Sequence, residues 1–478
     1  MKNDKDGTLS LSFSAELARW VCDIRFNEIP EDVTGATKLR VLDVLGLAAA
    51  GSETDFGRSV RDAALAMGVA GPCRIIGTAG RFGITAAAFA NGAFAQALEY
   101  DDTHNESIVH MSSPAVAAGL ALSEVRPTSG EDLLTAIAVA NEISCRVGSV
   151  SAGELHRRGF HPTGIFAPFG ASYLACRLLE LDADAMAHAA GIAGSFAGGL
   201  LECWTDGTES KFLHSGWAAQ SGIASAFLAR SGVTGPRQVF EGRFGLFASH
   251  VQDPGATRDF SRIAGGLGAQ WLSRNSSFKP FPAAHVIHPY IDALLRLQKR
   301  CRFKHDDIAR IDCPAAAFIV PIVCEPAAEK RAPASAAQAR VSLPYTLAEA
   351  LYFGRLGKDA YQAESLRHRG ILELAEKVHH HVDPAFPGPG RFKGAVRVTL
   401  KNGSVYEEAE EYNRGSVENP MTESELRSKF DENVAGLLPA LERDRLADAI
   451  LKLETLEDAS VLLEMMDAGR ASSARRER

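Results

Sequence analysis

Ala97-Leu-Glu-Tyr-Asp-Asp-Thr-His-Asn-Glu-Ser-Ile-Val-His110 packs four carboxylates and two imidazoles into fourteen positions. The run before it, Ile84 to Leu98, is small and apolar and long enough for a buried helix. After it, Ser113-Pro114 and Ala-Val-Ala-Ala-Gly-Leu-Ala-Leu read as a second buried helix, with proline at its first position. Charge held between two buried helices is costly, so a functional site is the natural reading. A solvated connection is the plain alternative. Glu99, Asp101, Asp102, His104 and His110 are possible metal ligands, but their spacing fits no standard ligand pattern, so no metal is expected.

Working outward, the 478 residues exceed one ordinary core and predict two domains. The composition, 46% hydrophobic and 23% charged, is that of a soluble globular protein, and no apolar run has membrane-spanning length. A net charge of −8 argues against a nucleic-acid partner, so an anionic substrate would need a local cationic pocket. The eight scattered cysteines show no C-x-x-C and suggest reduced thiols in the cytoplasm. Met1 to Gly7 is polar and shows no signal-peptide pattern.

To about residue 270 the pattern is helical. Pro30-Glu31-Asp32 suits a first turn, Ser129 to Asp132 resembles a capping box, and Asp182 opens a small-residue helix through Leu201, expected at the centre of a bundle. Ser273 to Pro282 is a loop and the expected domain boundary. Beyond it come a helix from Pro289 to Lys299, a strand-like stretch from Ile308 to Val323 broken at Pro314, and helices at Ala336 to Phe353 and Tyr361 to His379. His379-His-His381 reads as a surface helix end. Ala395 to Glu407 alternates around Asn402-Gly403, a β-hairpin signal, and Thr422 to Glu425 is a capping box for terminal helices reaching Met466. The tail from Asp467 is expected to be disordered. The expected fold is therefore mainly α. A large all-α domain (1–272 and 411–478) is interrupted by a smaller α+β lid domain (273–410), with the ligand site in the cleft between them.

His110, His161 and His288 each stand at or just before a helix start, where free N–H groups favour an anion. Lys211 and Lys279 lie in otherwise apolar surroundings. Together they suggest a polyanion pocket.

Six segments in order resemble the MmgE/PrpD family: Glu99-Tyr-Asp-Asp-Thr-His104, Gly159-Phe-His-Pro-Thr-Gly164, Asp206 to Trp217, Leu228 to Pro236 with Phe240 to Phe247, Lys279-Pro-Phe-Pro282, and Arg414 to Met421. The resemblance covers roughly residues 14 to 466. It implies a helical domain with an α+β lid, usually a homodimer, and members that include 2-methylcitrate dehydratase, cis-aconitate decarboxylase and iminodisuccinate epimerase. It also implies an active site of Thr103, His110, His161, Lys211 and Tyr345, with Lys279 and His285 or His288 from the lid. Tyr345 ends Ala339-Arg-Val-Ser-Leu-Pro-Tyr345, similar to the family's Ala-Arg-x-Ser-x-x-Tyr. Glu99 stands where the decarboxylase has Asp, and Met111 follows His110 where the family often has Pro. Both departures weigh against decarboxylation, because acid and base placement decides the outcome.

The reactions implied share the making or protonating of a carbanion α to a carboxylate. Lys211 and Lys279 are expected to hold carboxylates, and His161 or His110 to exchange the carbon-bound proton. Thr103 and Tyr345 would orient reacting groups or assist a leaving hydroxyl, with Glu99, Asp102 and His104 beside them. The expectation is a cofactor-independent lyase on a small polycarboxylate, of the 2-methylcitrate dehydratase type. An epimerase of an iminodisuccinate-like acid, a cis-aconitate-type decarboxylase and a non-catalytic dicarboxylate binder are the alternatives.

Overall fold

The structure, a computed structural model, describes residues 12–388 and 390–473, with the side chains of 468–473 excepted. The expectations for Met1 to Gly7 and for 474–478 lie outside the described residues. The chain is mainly α, with one small sheet-containing region towards its C-terminal end.

One large apolar core runs from Leu17 to Trp271 and takes back Phe430 to Met466. Its middle is formed by the helices Ile84–Gln96, Ser112–Ser123, Gly130–Ser149, Pro162–Leu178 and Leu213–Arg230. They carry almost no bulk, which allows close approach. A Cβ on Gly92 would lie 2.9 Å from the Gly216 Cα, and one on Gly216 would lie 2.2 Å from the Phe89 carbonyl oxygen. Only glycine fits where these two helices cross. The second core runs from Phe281 to Leu400 under a four-stranded sheet ordered Val378–Val382, Ile308–Ala315, Gly394–Leu400, Val405–Glu410. The first pair is parallel and the other two antiparallel.

Local signals account for many element ends. The Ser129 side chain accepts from Asp132 N, Asp182 accepts from Ala185 N, and Thr422 and Glu425 form a reciprocal capping box. The hairpin turns at Gly403, whose φ of +87° suits glycine.

Several expectations are corrected. The helix opened by Asp182 ends at Phe196, not Leu201, and packs against Phe13–Asp23, Pro162–Leu178 and Leu213–Arg230. Gly198 and Gly199 then form an extended segment that pairs with Gly164 and His161. Pro114 is the third residue of its helix, which starts at Ser112. The stretch 336–353 is two helices, Ala336–Arg340 and Leu343–Phe353, because Pro344 lacks the N–H to continue the first. The strand from Ile308 runs through Pro314 to Ala315, and Val320–Cys324 is a wide helical turn. His379 to His381 belong to a strand, since Val378–Val382 pairs parallel to Ile308–Ala315. The Val461–Ser473 helix carries the backbone well past Asp467, where disorder was expected.

Two features tie the Glu99–His110 loop to its surroundings. Thr103–His104 pairs antiparallel with Ser276–Ser277, placing the loop beside the segment that leads to Lys279. Lys429, buried on the Glu423–Val434 helix, donates to the Tyr100 carbonyl at 2.9 Å and pairs with Asp43 at 2.7 Å. Tyr100 in turn donates to the Pro280 carbonyl at 3.0 Å. Both cores therefore fix the loop.

Candidate active site

A cavity of about 510 Å³ opens between the two cores. Its lining gathers Glu99, Thr103, His110, His161, Lys211 and Lys279, with His285. Glu99 sits at φ +54°, in the left-handed region that a non-glycine residue enters at a cost of ~1–3 kcal/mol. That backbone turn brings its carboxylate between two buried lysines. Lys211 Nζ pairs with Glu99 Oε2, and Lys279 Nζ donates to Glu99 Oε1 at 3.1 Å and to the Glu99 carbonyl at 3.0 Å. Burial opposes ionisation of Glu99, but Lys211, Lys279 and His110 outweigh it and hold the carboxyl well below the usual carboxylate range.

His110 is held by its own loop. Its Nδ1 lies 3.2 Å from Asp101 Oδ1, 3.1 Å from the Asp102 carbonyl and 3.3 Å from Thr103 Oγ1. The first two are acceptors, so Nδ1 carries a proton and Nε2 is left on the side of Glu99, 3.9 Å from Oε1. Its backbone N–H donates to Thr163 Oγ1 at 3.0 Å, coupling this loop to the start of the Pro162–Leu178 helix.

His161 caps that same helix, and its backbone N–H donates to Gly199 O at 2.9 Å. Its Nδ1 lies 2.9 Å from Nδ1 of His214, while its Nε2 has no hydrogen-bond partner among the described residues. Burial, then Lys211 and the neighbouring imidazoles, keeps the His161 ring neutral by lowering its pKa far below the usual value. The His214 ring is pushed down to about 4, chiefly by burial with Lys211 adding to it. Two neutral rings joined Nδ1 to Nδ1 share one proton. If His214 donates it, His161 Nε2 bears a hydrogen for delivery; if His161 donates it, Nε2 is a free base.

His285 Nε2 accepts from Asn413 Nδ2 at 2.8 Å, and its Nδ1 has no hydrogen-bond partner among the described residues. Burial, His288 and Lys279 keep this ring neutral as well. His156 lines the cavity beside Trp204, ring centroids 5.4 Å apart.

Four of the residues expected at the site do not line the cavity. Asp102 lies beneath it, accepting from Ser112 Oγ at 2.6 Å and facing Arg40 at 3.3 Å. His104 is buried with Nδ1 2.7 Å from Ser107 Oγ, and burial lowers its pKa to about 3. His288 donates from Nε2 to the Ala283 carbonyl at 3.0 Å and supports the His285 ring, 5.0 Å away centroid to centroid. Tyr345 is directed into the second core by the Leu343–Phe353 helix, 6.3 Å from the Tyr361 ring. The structure adds residues the sequence did not single out, His214 as a support and Phe318 and Phe392 on the cavity wall, and it makes Asp101, considered in the sequence only as a metal ligand, a support of His110. His214 stands three residues from Lys211 within Asp206 to Trp217, and that spacing is its one signal in the sequence. Among the described residues no group of three or more His, Cys, Asp or Glu side chains is placed to hold a metal ion, and no helix is long and apolar enough to cross a membrane.

The MmgE/PrpD N-terminal domain matches residues 15–259 and the MmgE/PrpD C-terminal domain matches residues 281–455. The chain belongs to the MmgE/PrpD family. The two family matches meet around the segment that carries Lys279, with the ionisable residues up to Lys211 on the N-terminal side and His285 on the C-terminal side. Three curated relatives align over nearly their whole length. The cis-aconitate decarboxylase-like protein oryM of Aspergillus oryzae is 29% identical over 476 residues, covering 96% of this chain and 98% of the relative. Cis-aconitate decarboxylase of Aspergillus terreus is 27% identical over 491 residues, 98% of each chain. The mouse enzyme of that name is 27% identical over 473 residues, 95% of this chain and 93% of its own.

Proposed function

We propose that this chain is a lyase that removes carbon dioxide from a small unsaturated polycarboxylate of the cis-aconitate type. The observation that carries the reading is the convergence of Lys211 and Lys279, both buried, on one carboxylate beside the neutral ring of His161. A substrate carboxylate entering the cavity takes up lysine contacts that Glu99 holds in the free protein. The scissile carbon–carbon bond then breaks with its electron pair left on the substrate, conjugated with a retained carboxylate. The lysine ammoniums stabilise that charge where it develops. A proton from an imidazole, His161 through Nε2 or His110, completes the product, and solvent restores the ring. The full-length similarity to proteins named for cis-aconitate decarboxylation supports this choice over the dehydratase expected from Glu99 and Met111. In this reading residues 273–410 act as the lid that brings Lys279 and His285 to the bundle, and the working form is a homodimer without a cofactor.

A second reading, dehydration of a 2-methylcitrate-type acid, draws on Thr103. Its hydroxyl lines the cavity 3.3 Å from His110 Nδ1, a pairing suited to a leaving hydroxyl. Tyr345, which that reading also needed, lies in the second core.

Proton NMR in D2O with cis-aconitate-type and 2-methylcitrate-type acids separates the two. Decarboxylation gives carbon dioxide and one carbon-bound deuteron per turnover, and His161→Gln lowers the rate by ~10²–10⁴-fold. An alkene formed with the carbon skeleton intact makes the chain a dehydratase instead. No reaction of either acid, with His161→Gln indistinguishable from the parent in binding, overturns both readings.

A further inference from the structure

Part of the cavity wall is formed by Val286, Phe318, Pro321, Ile322, Val341 and Phe392. None of these side chains carries a hydrogen-bonding group, so this wall offers nothing to a carboxylate. All six belong to the second unit. Val286 lies in the turn His285–Ile287, and Phe318, Pro321 and Ile322 follow the strand Ile308–Ala315. Val341 sits at the break before Ser342, and Phe392 precedes the strand Gly394–Leu400. Val286, Phe318 and Ile322 are half-buried, packed against the second core on one side and lining the cavity on the other.

We propose that the substrate is a polycarboxylate bearing an apolar substituent of several carbons, an alkyl or aryl chain, seated against this wall. The inference rests on the polycarboxylate-lyase reading above and adds the class of substrate. Three observations carry it. The cavity, about 510 Å³, falls in the range that encloses drug-sized molecules, ~300–1,000 Å³, and a compact six-carbon polyacid fills only part of it. The charged groups of the lining, Glu99, Lys211 and Lys279 with Glu154 and Arg157, include none of these six residues, so a bare polyacid held by the lysines would leave the apolar wall facing water, the arrangement that burial of an apolar group relieves. The wall also starts directly beside an ionisable group of the lining: the Phe392 ring meets the His285 ring edge-on, centroids 5.2 Å apart. The substituent therefore branches from a carbon close to the carboxylates rather than from the far end of a long polar chain.

The test is a chain-length series of citrate-like and aconitate-like acids, unsubstituted, methyl, propyl and hexyl, measured for kcat/KM and for binding by titration calorimetry. Each buried methylene is expected to raise kcat/KM about fourfold until the wall is covered. Phe318→Asn and Ile322→Asn, prepared separately so that one misfolded variant does not decide the matter, should each flatten that slope. A flat or falling series in the unaltered protein overturns the inference. If the unsubstituted acid is then turned over, the lyase reading survives without it. If no acid of any length binds, the lyase reading itself fails and takes the substituent with it.

Discussion

Replacing Lys211 by Met keeps the length of the side chain and removes its charge. In the unaltered protein Glu99 is 4% exposed and divides its two oxygens between Lys211 and Lys279. The variant leaves a buried carboxylate with one lysine and a histidine nitrogen 3.9 Å away. Removing one partner of a buried pair costs ~3–5 kcal/mol, and the retained Lys279 puts this case near ~3 kcal/mol. Unfolding entropy of about 2.1 cal/mol/K per residue gives ~1 kcal/mol per degree for 478 residues, so Tm should fall by ~3 °C at pH 7. Adding Glu99→Gln removes the stranded charge and should recover more than half of the loss. The sign of the pH dependence follows from the depressed Glu99 pKa. A carboxyl lowered in the folded state contributes stability above its unfolded value of ~4.3, and that stability is lost as pH falls through the folded value. The gap between the variant and its parent should therefore hold from pH 7 down to about 4.3 and narrow as the pH is lowered further. Turnover should drop as well, by ~10- to ~150-fold, the equivalent of one charged hydrogen bond of ~1.5–3 kcal/mol. Thermal melts of the single and double variants across pH decide the matter. A single variant melting within ~1 °C of the parent, or a double variant no more stable than the single, refutes the reasoning.

His214→Gln should lower activity less than His161→Gln and shift the pH–rate profile, because His214 acts through its Nδ1 contact with His161. Urea unfolding across pH should show stability declining below pH ~6.5. His104 and His288 have folded pKa values near 3, and groups lowered in this way favour the folded state only above the unfolded value. At pH 5.5 each contributes a loss of ~1.4 kcal/mol. Asp43 and Asp292, raised to about 6 by burial, work in the opposite sense between pH ~4 and ~6, so a stability that rises steadily on acidification would contradict this balance. Gly216→Ala should destabilise by ~1–3 kcal/mol, since its Cβ would meet a carbonyl oxygen at 2.2 Å; circular dichroism melts that match the parent would show that the helices can separate freely there.

The reach of the sequence ended where contacts became non-local. Glu99 to His110 stood out because charge beside small apolar runs is a local pattern, and Lys211, Lys279 and the histidines at helix starts followed from composition and capping. The hairpin at Gly403 and the capping box at Thr422 were likewise local and were found in place. The strand Val378–Val382 is made by pairing with residues about seventy positions earlier, which no local periodicity reports. Tyr345 matched a motif, but the direction in which its helix faces is set by packing against the second core. Phe318 and Phe392 are ordinary apolar residues in sequence, and their place on the cavity wall depends on how two separate segments fold onto one another.

The site divides its tasks along the same line. Glu99, His110, His161 and Lys211 are fixed by the bundle through Lys429 on Tyr100, Thr163 on His110 and Gly199 on His161. On the apolar wall, Val286, Phe318 and Ile322 rest on the second core. Substitutions in the wall should therefore change how kcat/KM depends on the substrate's substituent while leaving the pH profile in place. Substitutions at His214 should move the pH profile without changing the preference among substituents. A wall variant that shifted the pH profile would mean that the second unit also sets the protonation of the imidazoles. His285, whose ring lies against both Phe392 and His288, is the residue through which such coupling would have to pass.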